Sequence, residues 1–136
     1  MAATFPQKEL YRVNIAALDQ QHENLFAMIE ELQDALADDR GDLVVDDLLR
    51  KLIDHAISHF ATEEQLLEKH RFPGLAEHRA EHLELSQKIA ALNLEHRAGM
   101  QGVPASLLLF LQSWLKVHIL ETDMQYSEFL NMRGVC

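Results

Sequence analysis

Apolar residues recur every three or four positions along most of the chain, in four long stretches separated by short polar, glycine- and proline-bearing breaks. That period places side chains on one face of an α-helix, and nowhere does the alternation of a half-buried strand compete with it. The first stretch reads Leu18, Leu25, Ile29, Leu32, Leu36, and Asp19 is placed to cap a helix over about 19–38. "DDRGDLVVDD" then breaks the pattern, and the next helix is expected over about 46–70 with Leu49, Leu52, Ala56, His59, Glu63 and Leu66 inward. "RFPG" reads as a turn through Pro73 and Gly74. A third helix over about 75–96 carries Leu75, His78, His82, Leu85, Ile89 and Leu92 on its stripe. "AGMQGVP" is the last break, with Pro104 suited to the first turn of a fourth helix over about 104–130. Its stripe runs Leu107, Leu111, Trp114 with Leu115, His118, Thr122 with Asp123, Tyr126 and Phe129.

Four amphipathic helices with short links predict an all-α fold, an antiparallel up-down four-helix bundle preceded by an irregular N-terminal arm over 1–18. A length of 136 residues suits one domain spanning the chain. The composition agrees, with 48% hydrophobic residues and only 3 Pro and 5 Gly.

Charge narrows the partners. A net charge of −10, from 22 acidic against 12 basic residues, repels phosphate backbones and anionic lipid, so neither nucleic acid nor a membrane surface is expected as a ligand. The longest apolar run, Leu107 to Leu111, is far short of a membrane span, and the first residues lack the basic and apolar pattern of a secretion signal. A cytoplasmic protein without membrane insertion is the expectation. The single cysteine, Cys136, stands at the last position and neither staples a fold nor builds a thiolate cluster.

The eight histidines are the compositional oddity, and several fall inside the apolar stripes. Glu63 lies about seven residues before the end of the second helix and His82 about seven after the start of the third, so at about 1.5 Å rise per residue they share a height. By the same measure His82 matches His118 and His78 matches Asp123 across the last connection, while His22 and His59 come within a turn or two. His22, His59, Glu63, His78, His82, His118 and Asp123 thus converge on one slab of a leucine-rich interior. A lone core histidine is ordinarily just hydrogen-bonded, but burying this whole set uncompensated costs several kcal/mol per unpaired charge. Metal cations remove that cost, because neutral imidazoles and ionised carboxylates are ligands. Seven candidates exceed one tetrahedral zinc, and two ions bridged by Glu63 and Asp123 fit better. Nitrogen and oxygen donors without thiolate suit iron, with manganese and zinc open on spacing alone.

The remaining polar residues read as solvated or structural. His55 is in line with His59 in "HAISHFATEE" but one turn nearer the helix start, with no counterpart at that height, and His70 and His96 stand at helix ends. Glu64, Glu81 and Glu121 are displaced by about 100° from the neighbouring candidates and are expected in solvent. Phe26, Phe60, Trp114 and Leu115 should form a dry wall beside the metals, with Leu115 as the nearest apolar gate.

On "DQQH" at Asp19–His22, "HFATEE" with His59 and Glu63, "HRAEH" with His78 and His82, and "WLKVHILETD" with Trp114, His118 and Asp123, the chain resembles the single-domain bacterial hemerythrins, in the expected order and over almost its whole length. The resemblance implies two iron ions joined by an oxo or hydroxo bridge that bind O2 reversibly while cycling between Fe2+ and Fe3+. It further implies that His78, His82 and His118 serve one iron, that His22 and His59 serve the other and leave it an open position, and that Glu63 and Asp123 bridge both. Oxygen storage, transport or delivery to an oxygen-using enzyme is the role implied, and not catalysis. Members of this kind often carry a Trp in the arm and a Gly eight residues before the first ligand, where this chain has Gln7 and Asn14. The alternatives are an O2, iron or redox sensor, which would need an output segment or surface, and a di-iron oxidase or peroxidase. The paired Glu-x-x-His motifs of ferritin-like oxidases are not found in the sequence.

Overall fold

The computed structural model describes residues 11–136, and of Glu121 and Thr122 the backbone alone. Its helices are α1 (Ala16–Ala37), α2 (Gly41–Lys69), α3 (Leu75–Arg97), α4 (Val103–Val117) and α5 (Met124–Asn131), with a π-helical segment at His118–Asp123 fusing the last two into one rod. No strand occurs among the described residues. α1 packs on α2 and α4, and α3 closes the ring by packing on the same two, so four rods form an all-α bundle. Short links force neighbouring rods to run antiparallel.

The same device ends the first three helices. A left-handed residue follows each, Asp39 (φ 56°), Arg71 (φ 55°) and Gly99 (φ 80°). The next amide then reaches back to the last turn, Arg40 N–H to Ala35 O (2.6 Å), Phe72 N–H to Leu67 O (2.9 Å) and Met100 N–H to Glu95 O (3.0 Å). The reversal before α3 therefore turns on Arg71, ahead of the expected Pro73 and Gly74. α2 begins at Gly41, earlier than the clustered aspartates suggested. A side chain at Gly41 would meet Leu36 Cδ2 at 2.9 Å and Pro104 Cβ at 3.1 Å, so glycine here permits close approach of three elements and does not break the helix. Asp42 in the first turn faces the positive end of the helix dipole.

Asp19 does not cap α1, which starts three residues before it with Ile15 at the cap. Its carboxylate instead accepts the Val13 N–H at 2.7 Å and holds the chain leading into the helix. Ser127 donates to Val13 O (2.6 Å), Asn131 donates to Asn14 O (3.0 Å), and Tyr11 meets Phe26 edge-on at 5.4 Å. Asn14 itself sits at φ 60°. That region favours glycine and admits asparagine at modest cost, so the departure from the expected Gly leaves the turn intact. Gln7 lies outside the described residues.

The core has two apolar parts. One joins Leu25, Ile29, Leu32, Leu48, Leu49, Leu85, Leu92 and Leu107, and the other joins Val13, Ile15, Leu18, Leu67, Tyr126 and Leu130. On every rod the buried histidines and carboxylates fall between them, in a polar slab across the bundle. Val103–Asn131 is long and apolar enough by composition to cross a membrane. It carries His118 and Asp123 in its middle and packs Leu107, Leu111, Leu115 and Leu130 inward, as a core helix does.

Candidate metal centre

Seven ionisable side chains meet in the slab. His22, His59, His78, His82 and His118 are each at most 3% exposed, and Glu63 and Asp123 are 0% exposed. α1 supplies His22, α2 supplies His59 and Glu63 one turn apart, and α3 supplies His78 and His82 one turn apart. His118 and Asp123 are the first and last residues of the π-helical segment. Five residues apart, they would stand about 140° from each other around a regular α-helix. The wider π turn closes from residue i to i+5 and brings both onto one face.

The carboxylates have a shared logic. Glu63 Oε1 faces His78 Nε2 in a short contact and His82 Nε2 at 3.0 Å, while Oε2 faces His59 Nε2 at 3.0 Å and His22 Nε2 at 3.7 Å. Asp123 Oδ1 faces His78 Nε2 at 3.2 Å and His118 Nε2 at 3.0 Å, while Oδ2 faces His22 Nε2 at 3.3 Å. Each carboxylate thus turns one oxygen to the histidines of α3 and the π segment, and the other toward α1 or α2. One ligand atom each from Glu63, His78, His82 and His118 falls within 4.8 Å of the rest, as it does for His22, His59 and Glu63.

Protons balance the charges of this set. Burial alone would raise both acids, but the surrounding histidines hold Glu63 and Asp123 well below the usual carboxylate range. Burial would lower the imidazoles, yet hydrogen bonds to Asp123 and Glu63 lift His22 to about 9 and His78 to about 10. Hydrogen bonding remains incomplete all the same. Both nitrogens of His22, both nitrogens of His118 and both oxygens of Asp123 are buried without a well-aligned partner. Buried polar atoms left so are costly, and cations seated among them would satisfy them, so the donor set fits two metal ions of oxygen- and nitrogen-loving character.

A further layer of side chains holds the rings. Gln21 Oε1 accepts from His59 Nδ1 at 2.6 Å, and Gln21 in turn reaches Thr62 Oγ1 at 3.5 Å. Glu64 Oε2 accepts from His82 Nδ1 at 2.8 Å while its other oxygen accepts from Arg79 Nε at 3.1 Å. Glu81 Oε2 stands 3.6 Å from His118 Nδ1. The Tyr126 hydroxyl, fully buried, donates to Glu63 Oε2 at 3.0 Å. Phe60 stacks on His82 (3.8 Å, 8° between planes) and Trp114 on His118 (4.3 Å, 16°).

This layer corrects the expectation that Glu64 is merely solvated. Its α-carbon is rotated off the core face of α2, but α3 packs beside α2 and the long side chain reaches across to His82. Gln21 joins it as a residue that holds a ring, and its place beside His22 in "DQQH" is the sequence signal for that role. His55 is corrected as well. Its ring is half-buried, stacks on His59 at 5.5 Å and 17°, and is driven down to about 4 by burial and by His59 and His22, so it stays neutral. The side chain of Glu121 lies outside what is described.

Beside the slab is a cavity of about 20 Å³ walled by His22, His55, His59, Phe60, Trp114 and Leu115, with aliphatic side chains from all four rods behind them. Phe60, Trp114 and Leu115 stand where a dry wall was expected. Phe26 is not in the lining and packs behind it against Tyr11. His118 also borders the cavity, whereas His78 and His82 do not.

The family profile described as "Hemerythrin HHE cation binding domain" matches residues 13–130. A bacteriohemerythrin of Methylococcus capsulatus is 31% identical over 122 residues, covering 89% of this chain and 92% of that protein. A myohemerythrin of Riftia pachyptila is also 31% identical, with 86% of each chain covered. A crystal structure of wild-type hemerythrin superposes with a TM-score of 0.78 at 31% identity, covering 85% of this chain and 88% of that one.

Proposed function

Because the chain belongs to the hemerythrin family, we propose that it binds O2 reversibly at a di-iron centre, as a cytoplasmic store or carrier that can supply an oxygen-using enzyme. His78, His82 and His118 would hold one iron, and His22 and His59 would hold the other, with Glu63 and Asp123 placed to serve both. The observation that carries the reading is the division of oxygens, each carboxylate offering one oxygen to the first histidine group and one to the second. When bound, the two irons supply the electrons that O2 takes up on binding and returns on release.

The chain's own residues do the rest. The cavity borders both His22 and His59 but, of the other group, His118 alone, which supports O2 arriving on the two-histidine side. Phe60, Trp114 and Leu115 limit the entry of bulk water, which favours release of O2 over loss of electrons. Gln21 and Glu64 fix the tautomers of His59 and His82 by accepting from Nδ1, leaving Nε2 free for a metal. The two sides differ, because His82 is backed by an anion and His59 by a neutral amide. A binding role and not a catalytic one is the reading that likeness to the bacteriohemerythrins and myohemerythrin supports.

The test is iron analysis with optical spectra before O2, after O2 and after deoxygenation. About two irons per chain and a charge-transfer band that appears and disappears with O2 are expected. An iron-loaded protein that consumes O2 continuously with added reductant would make it an oxidase, and one with no O2-dependent spectrum would remove the carrier reading.

A further inference from the structure

His55 has a role that neither bundle packing nor the ligand set accounts for. It approaches neither buried carboxylate, yet its ring borders the cavity next to the two-histidine side. Most of the wall there is apolar, with Leu25, Leu52, Leu85 and Ile89 among its aliphatic members. His55 Nε2 is buried from solvent and has no hydrogen-bond partner. A ring nitrogen placed so carries an unmet need, and buried polar groups in native proteins generally find a partner. The cavity beside it, about 20 Å³, has room for one water-sized or diatomic guest. Stacking on His59 at 5.5 Å fixes the plane of the ring, so His55 is presented in one orientation.

We infer that His55 is the hydrogen-bonding residue of the cavity, donating from Nε2–H to a small electron-rich guest, O2 or a small anion, held against the His22 and His59 side. The inference rests on the di-iron reading above. The arrangement makes the pocket selective: apolar walls admit a small neutral molecule, and one fixed donor rewards a guest that gains negative charge on binding. His55 is a positioning residue for the guest and takes no part in holding metal.

Two variants of the full chain, iron-loaded, separate this from a packing role. His55→Leu keeps the bulk and removes the donor, and His55→Gln keeps a donor. Azide serves as probe for the diferric protein, and O2 release is followed from the oxygenated protein by stopped flow. His55→Leu should weaken azide binding and speed O2 release by about tenfold, the scale of one hydrogen bond to a charged acceptor, with His55→Gln restoring most of both. The azide stretching frequency should shift between the natural protein and His55→Leu, and stay near its natural value in His55→Gln. Equal affinities in all three proteins, or a His55→Gln variant as weak as His55→Leu, would overturn the inference. Loss of iron from both variants would make His55 a prop for His59 and would overturn it too. A natural protein that holds two irons but takes up no O2 would instead fail the function proposed above, and this outcome is visible before any variant is made.

Discussion

Replacing Tyr126 by phenylalanine isolates one hydrogen bond at the centre of the bundle. Tyr126 is 0% exposed and its hydroxyl donates to Glu63 Oε2 at 3.0 Å. The ring itself packs with Val13, Leu18, Leu67 and Leu130, so phenylalanine keeps the apolar contacts and deletes one oxygen atom. A hydrogen bond to a charged acceptor contributes about 1.5–3 kcal/mol. The lower end applies here, because Glu63 Oε2 still meets His59 Nε2 at 3.0 Å and is not orphaned. For a domain of this size about 1.5–2 kcal/mol is about 5–10 °C in melting temperature. Tyr126→Phe should therefore melt that much lower in the metal-free state, followed by circular dichroism and by urea denaturation with unchanged slope. Glu63 is also the carboxylate shared by both histidine groups, so freeing its oxygen should weaken ferrous iron binding by about tenfold, as loss of a group orienting a ligand does. A melting temperature within about 1 °C of the natural protein, with iron affinity unchanged, would refute the claim that Tyr126 positions Glu63.

Glu64→Ala should weaken one of the two iron sites by about 10–100-fold while sparing the other, so that limiting iron gives about one ion per chain; equal weakening of both would contradict the assignment of Glu64 to His82 alone. Leu115→Ser should let water into the cavity and speed autoxidation severalfold, read as decay of the oxygenated spectrum, and an unchanged decay would sink the gate. Iron loading at pH 7 should release about two protons per chain from side chains, one each from His22 and His78, which the metal-free protein holds protonated up to about 9 and about 10, in addition to those from water that becomes a bridge; calorimetry in buffers of different ionisation enthalpy counts the total, and fewer than two would contradict the assignment. The same shifts set the metal-free stability profile. The raised histidines contribute below about pH 6.5 and lose their contribution as pH rises through about 9 to 10, while the depressed Glu63 and Asp123 contribute above about pH 4 and lose it on acidification, so stability should peak in mildly acidic to neutral solution.

The four rods and the polar slab were legible because a helix is a linear ruler: residues at matched distances from a turn arrive at matched heights, and burial then follows from phase. That ruler placed Glu63 opposite His82 and brought His22 and His59 to within a turn or two of them without any side-chain detail. It failed where side-chain length or local geometry overrides the ruler. Glu64 points off the core face by its α-carbon yet reaches His82, and Asp19 looks like a cap but serves the arm. His55 seemed outermost because no ligand faced it, when an apolar cavity was what it faced. The π-helical segment is the instructive case. "HILETD" has no composition that marks a π turn, and regular helix was the natural expectation from Pro104 to Leu130. Yet two inward-facing groups five positions apart cannot share one face of an α-helix, and Leu115, His118, Asp123 and Tyr126 are all buried. A stripe that must hold both His118 and Asp123 therefore requires the helix to widen between them. Read that way, the i to i+5 spacing is itself the signal, and the less favourable backbone turn is maintained because it lets one rod deliver a histidine and a carboxylate to the same buried centre.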